Sequence, residues 1–192
     1  AARLSTQSFV RLRQAGFGAV LPLHLVLALR LMQAVRGAEE RGHVISCPFP
    51  DFVNPALGTI GLAPLVGFGN IDNLAGLARL RVAQARNVDP RDVQMYFIAS
   101  HAVNESLLRD GSTGRAPYSF RVYVSGVDVT DEIEVEELLA KGSSQLHGAR
   151  TEARTAASGV KMALSVLREN HAHVHAPGPS GLPGDYPVRL HP

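Results

Sequence analysis

Residues 64–74, Pro-Leu-Val-Gly-Phe-Gly-Asn-Ile-Asp-Asn-Leu, constrain the fold more than any other stretch of the chain. An apolar run enters a Gly-x-Gly turn and leaves on a helical pattern, with Leu74, Leu77, Leu80 and Val82 read as the inward side. A strand that passes through glycines straight into a helix is a building unit of α/β folds. The stretch begins like a phosphate-cradling loop and then departs from it. Gly-x-Gly-x-x-Gly needs a third glycine where this chain has Asp72, whose carboxylate would repel a pyrophosphate. Gly16-Phe17-Gly18 also lacks the third glycine and has no strand before it. Neither is read as a nucleotide loop. The turn is read as presenting Asp72 at the start of a helix, where an N-cap is the simpler role and catalysis the alternative.

The 192 residues are 45% hydrophobic and 19% charged, enough to build a core and unlike a disordered composition. A net charge of +2 from scattered arginines, with no Trp and four Tyr, gives no nucleic-acid footprint. The single Cys47 excludes an internal disulfide and any Cys-x-x-Cys metal site, and it fits a reducing, cytoplasmic setting. No secretory pattern is read. Pro22, His24, Arg30 and Gln33 interrupt the apolar run at 18–35, so no membrane span is expected. The chain opens at Ala1 without Met and enters a helical pattern at once, which we read as a fragment, a processed chain or one half of a split protein.

Residues 4–36 read as helix, capped by Ser5 or Thr6, broken near Gly16 and Gly18 and stopped at Gly37. The second half is apolar nearly all round, so it is expected between a sheet and another layer. Short strands are expected at 43–48 and 64–68, helical turns at 51–58, a helix at 72–87 with Arg79, Arg81 and Arg86 outward, and a strand at 93–100. Residues 119–129 alternate and read as antiparallel strand, turned at Ser125-Gly126. An acidic helix over 131–139 and a long helix over 151–168 follow, and the tail from 171 reads as strand and turns. The expected class is α/β followed by α+β: the last crossovers of a parallel sheet, then a separate layer.

The strand at 93–100 runs into His101, and α/β proteins place reacting groups at strand ends and in the loops that follow. An aspartate held against one imidazole nitrogen fixes the tautomer. It also stabilises the imidazolium formed when the other nitrogen takes a proton. Asp72 and His101 are therefore the candidate pair for removing a hydroxyl proton during hydride transfer.

Gly67-x-Gly69-x-x-Asp72, the helix with its arginines, Asn87-Val88-Asp89-Pro90 before a strand, and Ser100-His101-Ala102-Val103 together resemble the lactate/malate dehydrogenase superfamily. The resemblance extends to Ala2-Arg3-Leu4, Ile45-Ser46-Cys47-Pro48, Val122-Tyr123-Val124-Ser125-Gly126 and Thr155. It implies the incomplete end of a Rossmann dinucleotide-binding domain over 1–70 and a C-terminal substrate and catalytic domain over 71–192. It also implies NAD(P)-dependent hydride transfer between nicotinamide and a small hydroxy or keto substrate. His101 would be the acid/base, Asp72 its orienting acid, and Arg3 the group that polarises the carbonyl. Thr155, Arg79, His173 and His175 would shape the substrate pocket, and Ser46 and Cys47 would meet the cofactor. The main NAD or NADP motif would lie upstream of Ala1, in cis or on a separate chain, and an oligomer is expected. The chain departs from the family at Ala75, where the family carries the arginine that grips the substrate carboxylate by a bidentate pair. It departs again at Cys47, in place of an Asn, and at Ala99 and Ala102, in place of glycines. Lactate and malate are therefore not the expected substrates. The same departures favour an alternative, a non-catalytic dehydrogenase-like subunit acting through protein association.

His171, His173 and His175 alternate, which would put their imidazoles on one face of a strand and makes a Zn or Ni site a third option. With no Cys or acid beside them to complete a sphere, an edge strand or pocket wall is preferred and no metal is assigned. Cys47 is read as inert at a strand end. His24 is read as packed on a helix face, His147 as solvated, and Glu132, Glu134, Glu136 and Glu137 as a wet helix face.

Overall fold

The computed structural model of the protein describes residues 5–38, 42–140, 149–168 and 173–190. Helices α1 (Thr6–Gln14) and α2 (Phe17–Gly37) are separated at Gly16, which adopts φ +100°. One face of α2 packs on α3 (Pro50–Gly58), where Met32 joins Val53, Leu57 and Leu62. Leu23, Val26, Leu27 and Leu31 of α2 stay exposed, so the helix is not sandwiched as its composition suggested. Nor do Pro22, His24, Arg30 and Gln33 break it. Residues Gly18–Gly37 are long and apolar enough, by length and composition, to cross a membrane.

Strands β1 (Ile45–Ser46) and β2 (Val66–Gly67) pair in parallel over only two residue pairs, Ile45 with Val66 and Ser46 with Gly67. So short a ladder offers little surface to a helix more than five turns long.

From β2 the chain turns through glycines into α4 (Ile71–Arg86), which lies on the longest sheet. Ile71, Leu74, Ala78 and Val82 pack with Met95 and Phe97 of β3 (Val93–Ile98) and with Phe120 and Val122 of β4 (Ser119–Val124). β4 pairs antiparallel with β3 and, across Ser125-Gly126, with β5 (Val127–Asp128). Helix α5 (His101–Asp110) starts where the sequence reading had only a loop. Val103 and Leu107, one turn apart, are both buried in the same core, which anchors it as helix.

The acidic segment divides into a 3-10 turn at Thr130–Glu132 and helix α6 (Val135–Ala140), because Ile133 is extended between them. It is not a wet face throughout: Glu136 Oε1 accepts from the Thr113 N–H and hydroxyl, and Glu132 pairs with Arg86. Of the three arginines expected to point outward, Arg86 is exposed, whereas Arg81 donates to the Leu138 and Leu139 carbonyls.

Helix α7 (Ala149–Arg168) and the antiparallel hairpin of β6 (His173–Pro177) and β7 (Asp185–Arg189) follow. Met162, Val166, Val174 and Ala176 close on Val66 of β2, so residues on both sides of position 70 share one core. The hairpin connection reaches back to the first third of the chain. Asn54 Nδ2 donates to the Gly178 carbonyl at 3.0 Å, and the Ser180 N–H donates to the Leu65 carbonyl at 2.8 Å. A Cβ at Gly178 would lie 2.3 Å from the Pro50 carbonyl oxygen, so no larger residue fits this crossing.

Candidate functional site

The site is built on the glycine turn. A Cβ at Gly67 would lie 2.1 Å from Pro50 Cβ, so glycine alone lets β2 pass the head of α3. Gly69 then takes φ +91°, and Asn70 takes φ 49° and ψ −123° as the residue before α4. Such a backbone on a residue with a side chain costs about 1–3 kcal/mol. The contacts of Asn70 offset it. Its Nδ2 donates to Asp51 Oδ1 at 2.9 Å, and its Oδ1 lies 2.9 Å from His101 Nδ1. Asp51 Oδ2 accepts the His101 backbone N–H at 2.8 Å, and Asp51 Oδ1 is 3.8 Å from Nδ1.

This arrangement selects a tautomer. The Asn70 NH2 faces a carboxylate, so its oxygen faces the ring and Nδ1 must carry the proton. Nε2 then holds the lone pair, 3.5 Å from Glu105 Oε1 one turn along α5. The ring is 8% exposed as part of His101 and lies against Phe49, centroid to centroid 4.9 Å, and near Phe52 at 6.5 Å. Phe49 also meets His24 at 4.6 Å. Burial raises the Asp51 pKa, while the His101 charge and the hydrogen bonds from His101 and Asn70 pull against that rise.

Behind this group Asp185 of β7 is fully buried. Its Oδ2 accepts the Ile71 N–H at 2.9 Å, and among the described residues its Oδ1 meets the geometric limits of a hydrogen bond with none. Burial, reinforced by the nearby Asp51 charge, pushes its pKa well above the usual carboxylate range and favours the neutral acid.

The acid facing His101 is thus Asp51, and the pairing expected of Asp72 is corrected. Asp72 is ion-paired with Lys161 of α7. Asn70 stands before α4 with a non-helical backbone, whereas Asp72 lies in the first turn of α4 and reaches α7. Thr155 does reach the turn: its Oγ1 accepts from Asn73 Nδ2 at 3.1 Å, and a Cβ on Gly69 would lie 3.3 Å from its methyl. Arg79 is half-buried, and among the described residues its Nε has no hydrogen-bond partner.

His175 is corrected as a wall of an open pocket. It is buried, and its Nε2 accepts the Phe97 N–H at 3.1 Å, which ties β6 to β3. Burial lowers its pKa to about 4. His173 is exposed, 5.5 Å from the Tyr96 ring. Among the described residues no group of three or more His, Cys, Asp or Glu is placed to hold a metal.

Ser46 is buried and donates to Asn54 Oδ1 at 2.7 Å, so its hydroxyl proton is spent inside the protein rather than on a cofactor. Cys47 is exposed and lines, with His24, Leu27 and Leu31, an apolar cleft of about 320 Å³. Partial burial raises its thiol pKa, which keeps it protonated and fits the inert reading. Arg3, His147 and His171 lie outside the described residues.

Asp51 and Asn70 were missed in the sequence. Asp51 had a signal, since it follows the strand end at Pro48 much as His101 follows the end of β3. Asn70 had one too, as a residue tolerant of left-handed backbone directly after a Gly-x-Gly.

No known family profile matches the chain, and no curated protein matches it. Solved structures do. The lactate dehydrogenase of Cryptosporidium parvum aligns at TM-score 0.60 and 20% identity, over 88% of this chain and 61% of that one. A structure of that enzyme complexed with lactic acid and β-nicotinamide adenine dinucleotide aligns at TM-score 0.51 and 20% identity, over 83% and 55%. The malate dehydrogenase of Salinibacter ruber aligns at TM-score 0.55 and 19% identity, over 86% and 57%. The chain therefore has the fold of the lactate and malate dehydrogenases, and it spans little more than half the length of these neighbours.

Proposed function

We propose that this chain is the substrate side of an NAD(P)-dependent oxidoreductase that transfers a hydride between nicotinamide and a hydroxy or keto substrate. The observation that carries this reading is the Asp51–Asn70–His101 clamp, which commits Nδ1 to carry a proton and leaves Nε2 to take one. NAD(P), when bound, supplies the hydride acceptor. His101 takes the hydroxyl proton at Nε2 and returns it in the reverse direction. Asp51, reached through Asn70 and by its own proximity, stabilises the imidazolium so formed. Phe49 and Phe52 limit water at the ring.

The cleft beside Cys47 and His24 is apolar enough for a flat aromatic ring such as nicotinamide. Gly67 and Gly69 are taken up by close packing and by the Asn70 turn, and neither belongs to a phosphate-binding fingerprint. The pyrophosphate would therefore be held by a nucleotide-binding half, in cis or on a separate chain, in an oligomeric, cytoplasmic enzyme. That half would cover the exposed face of α2.

The test is NAD(P)H formation over a panel of hydroxy acids and polyols, by the chain alone and together with a nucleotide-binding half. His101→Gln is expected to lose roughly 10²–10⁴-fold in turnover, and Asn70→Ala to show a smaller loss with an altered pH profile. Undiminished turnover in His101→Gln would sink the assignment. A second reading, a non-catalytic subunit, is favoured by one feature: the His101 ring is nearly closed off beneath Phe49. An inactive panel with partner binding intact in His101→Gln is its expected result.

A further inference from the structure

The charges left over by this site gather on the other side of α4. A cleft of about 270 Å³ separates α4 from α7, and Asp72, Asn73, Leu80, Arg154, Ser158 and Lys161 are among its walls. Two cations face one acid there. Lys161 is paired with Asp72 but remains 46% exposed along its side chain. Arg154 has no acid partner among the described residues, and its Nη1 is buried without any hydrogen bond. A buried guanidinium nitrogen without an acceptor is unusual, because Arg is rarely buried unless paired. Its charge also bears on Arg81: burial lowers the Arg81 pKa first, and Arg154 lowers it further. Ser158 Oγ accepts the Gly69 N–H at 2.9 Å, which leaves its own proton to donate. Between these groups Gly76 opens the floor of the cleft, since a Cβ there would meet nothing within 4 Å.

We propose that the α4–α7 cleft binds the phosphate or carboxylate group of a small organic anion, held by the Arg154 fork and the Lys161 ammonium. The guanidinium supplies paired donors to an oxyanion and the ammonium a mobile point charge. Asp72 competes with the ligand for Lys161 and so sets its affinity. Ala75, where the resemblance lost its carboxylate-gripping arginine, is buried in the core of the α4 layer and is not among the walls of this cleft. Anion binding in the cleft rests on no assumption about turnover, so it can fail or survive independently of the oxidoreductase reading.

The experiment is calorimetric titration of the full chain with inorganic phosphate and, separately, with succinate, at constant ionic strength held by chloride. Saturable binding of at least one anion is expected, and which one binds identifies the ligand group. Arg154→Met is expected to weaken it by about tenfold or more, the loss of one charge-assisted contact. Asp72→Asn is expected to tighten binding by freeing Lys161. Gly76→Leu fills the cleft without altering charge, favours the helix, and is expected to abolish binding. Absence of saturable binding by both anions, or binding unchanged in both Arg154→Met and Gly76→Leu, would overturn the proposal.

Discussion

The layer formed by α2, α3, β1 and β2 differs from the layer formed by α4, β3 and β4 in the length of the sheet beneath the helices. β1 and β2 share two residue pairs, whereas β3 and β4 pair without a break from Val93–Val124 to Ile98–Ser119. The longer ladder gives α4 a continuous floor, on which Leu74, Phe97 and Val122 are fully buried. In the α2 layer, where α2 meets α3, Leu27 is 72% exposed and Leu23, Val26 and Leu31 are also exposed. The α4 layer closes over its own core, and the α2 layer keeps these four side chains exposed.

Truncation in the complete layer is expected to give the largest effect. Phe97→Ala removes a fully buried ring that meets Phe120 at 5.3 Å, and it should cost about 3–5 kcal/mol in denaturant unfolding. The seam between β6 and β3 comes next. His175 has a folded pKa of about 4 against an ordinary 6.5, so between those values the unfolded chain takes up the proton and the folded chain does not. Its neutral burial is without penalty above pH 6.5. Stability is then lost as the pH falls toward 4, by roughly 3 kcal/mol. Asp51 and Asp185 act with the opposite sign, since their raised values remove stability as the pH climbs above 3.8. Stability curves of the wild type and of His175→Gln, which keeps an acceptor for the Phe97 N–H, isolate the histidine: the variant should lack its share of the acid loss. The smallest effect belongs to the α2 face. Leu27→Lys should change the stability of the chain by about 0.5 kcal/mol or less, yet prevent association with a nucleotide-binding half. A Leu27→Lys penalty as large as that of Phe97→Ala would break the comparison between the layers.

The sequence carried the element order well, because it rests on local signals: the glycine turn at 67–69, the alternation at 119–129, and the helical spacing of Leu74 and Val82. It identified His101 as an end-of-strand residue for the same reason. The acid beside it was not legible. Asp51 and His101 are fifty positions apart, and their contact depends on how α3 docks on the turn. Asp72 was the more conspicuous acid, but its place within α4 turns it toward Lys161. His173 and His175 look alike in the sequence, and what separates them is an N–H on another sheet, that of Phe97, which only His175 meets. The break in the acidic helix at Ile133 was equally hidden, since it reflects packing of Val135 and Leu139 against α4 rather than any Pro or Gly.

The return of Gly178, Ser180 and Asp185 onto residues 50–71 bears on how the chain is made. During synthesis Asn54, Leu65 and Ile71 leave the ribosome more than a hundred residues before Gly178, Ser180 and Asp185, to which they are hydrogen-bonded. The nascent α3 and β2 keep open donors and acceptors until the β6–β7 hairpin arrives. A chain stopped before that hairpin would lack Asp185 and the Gly178 and Ser180 contacts that close on residues 54–71.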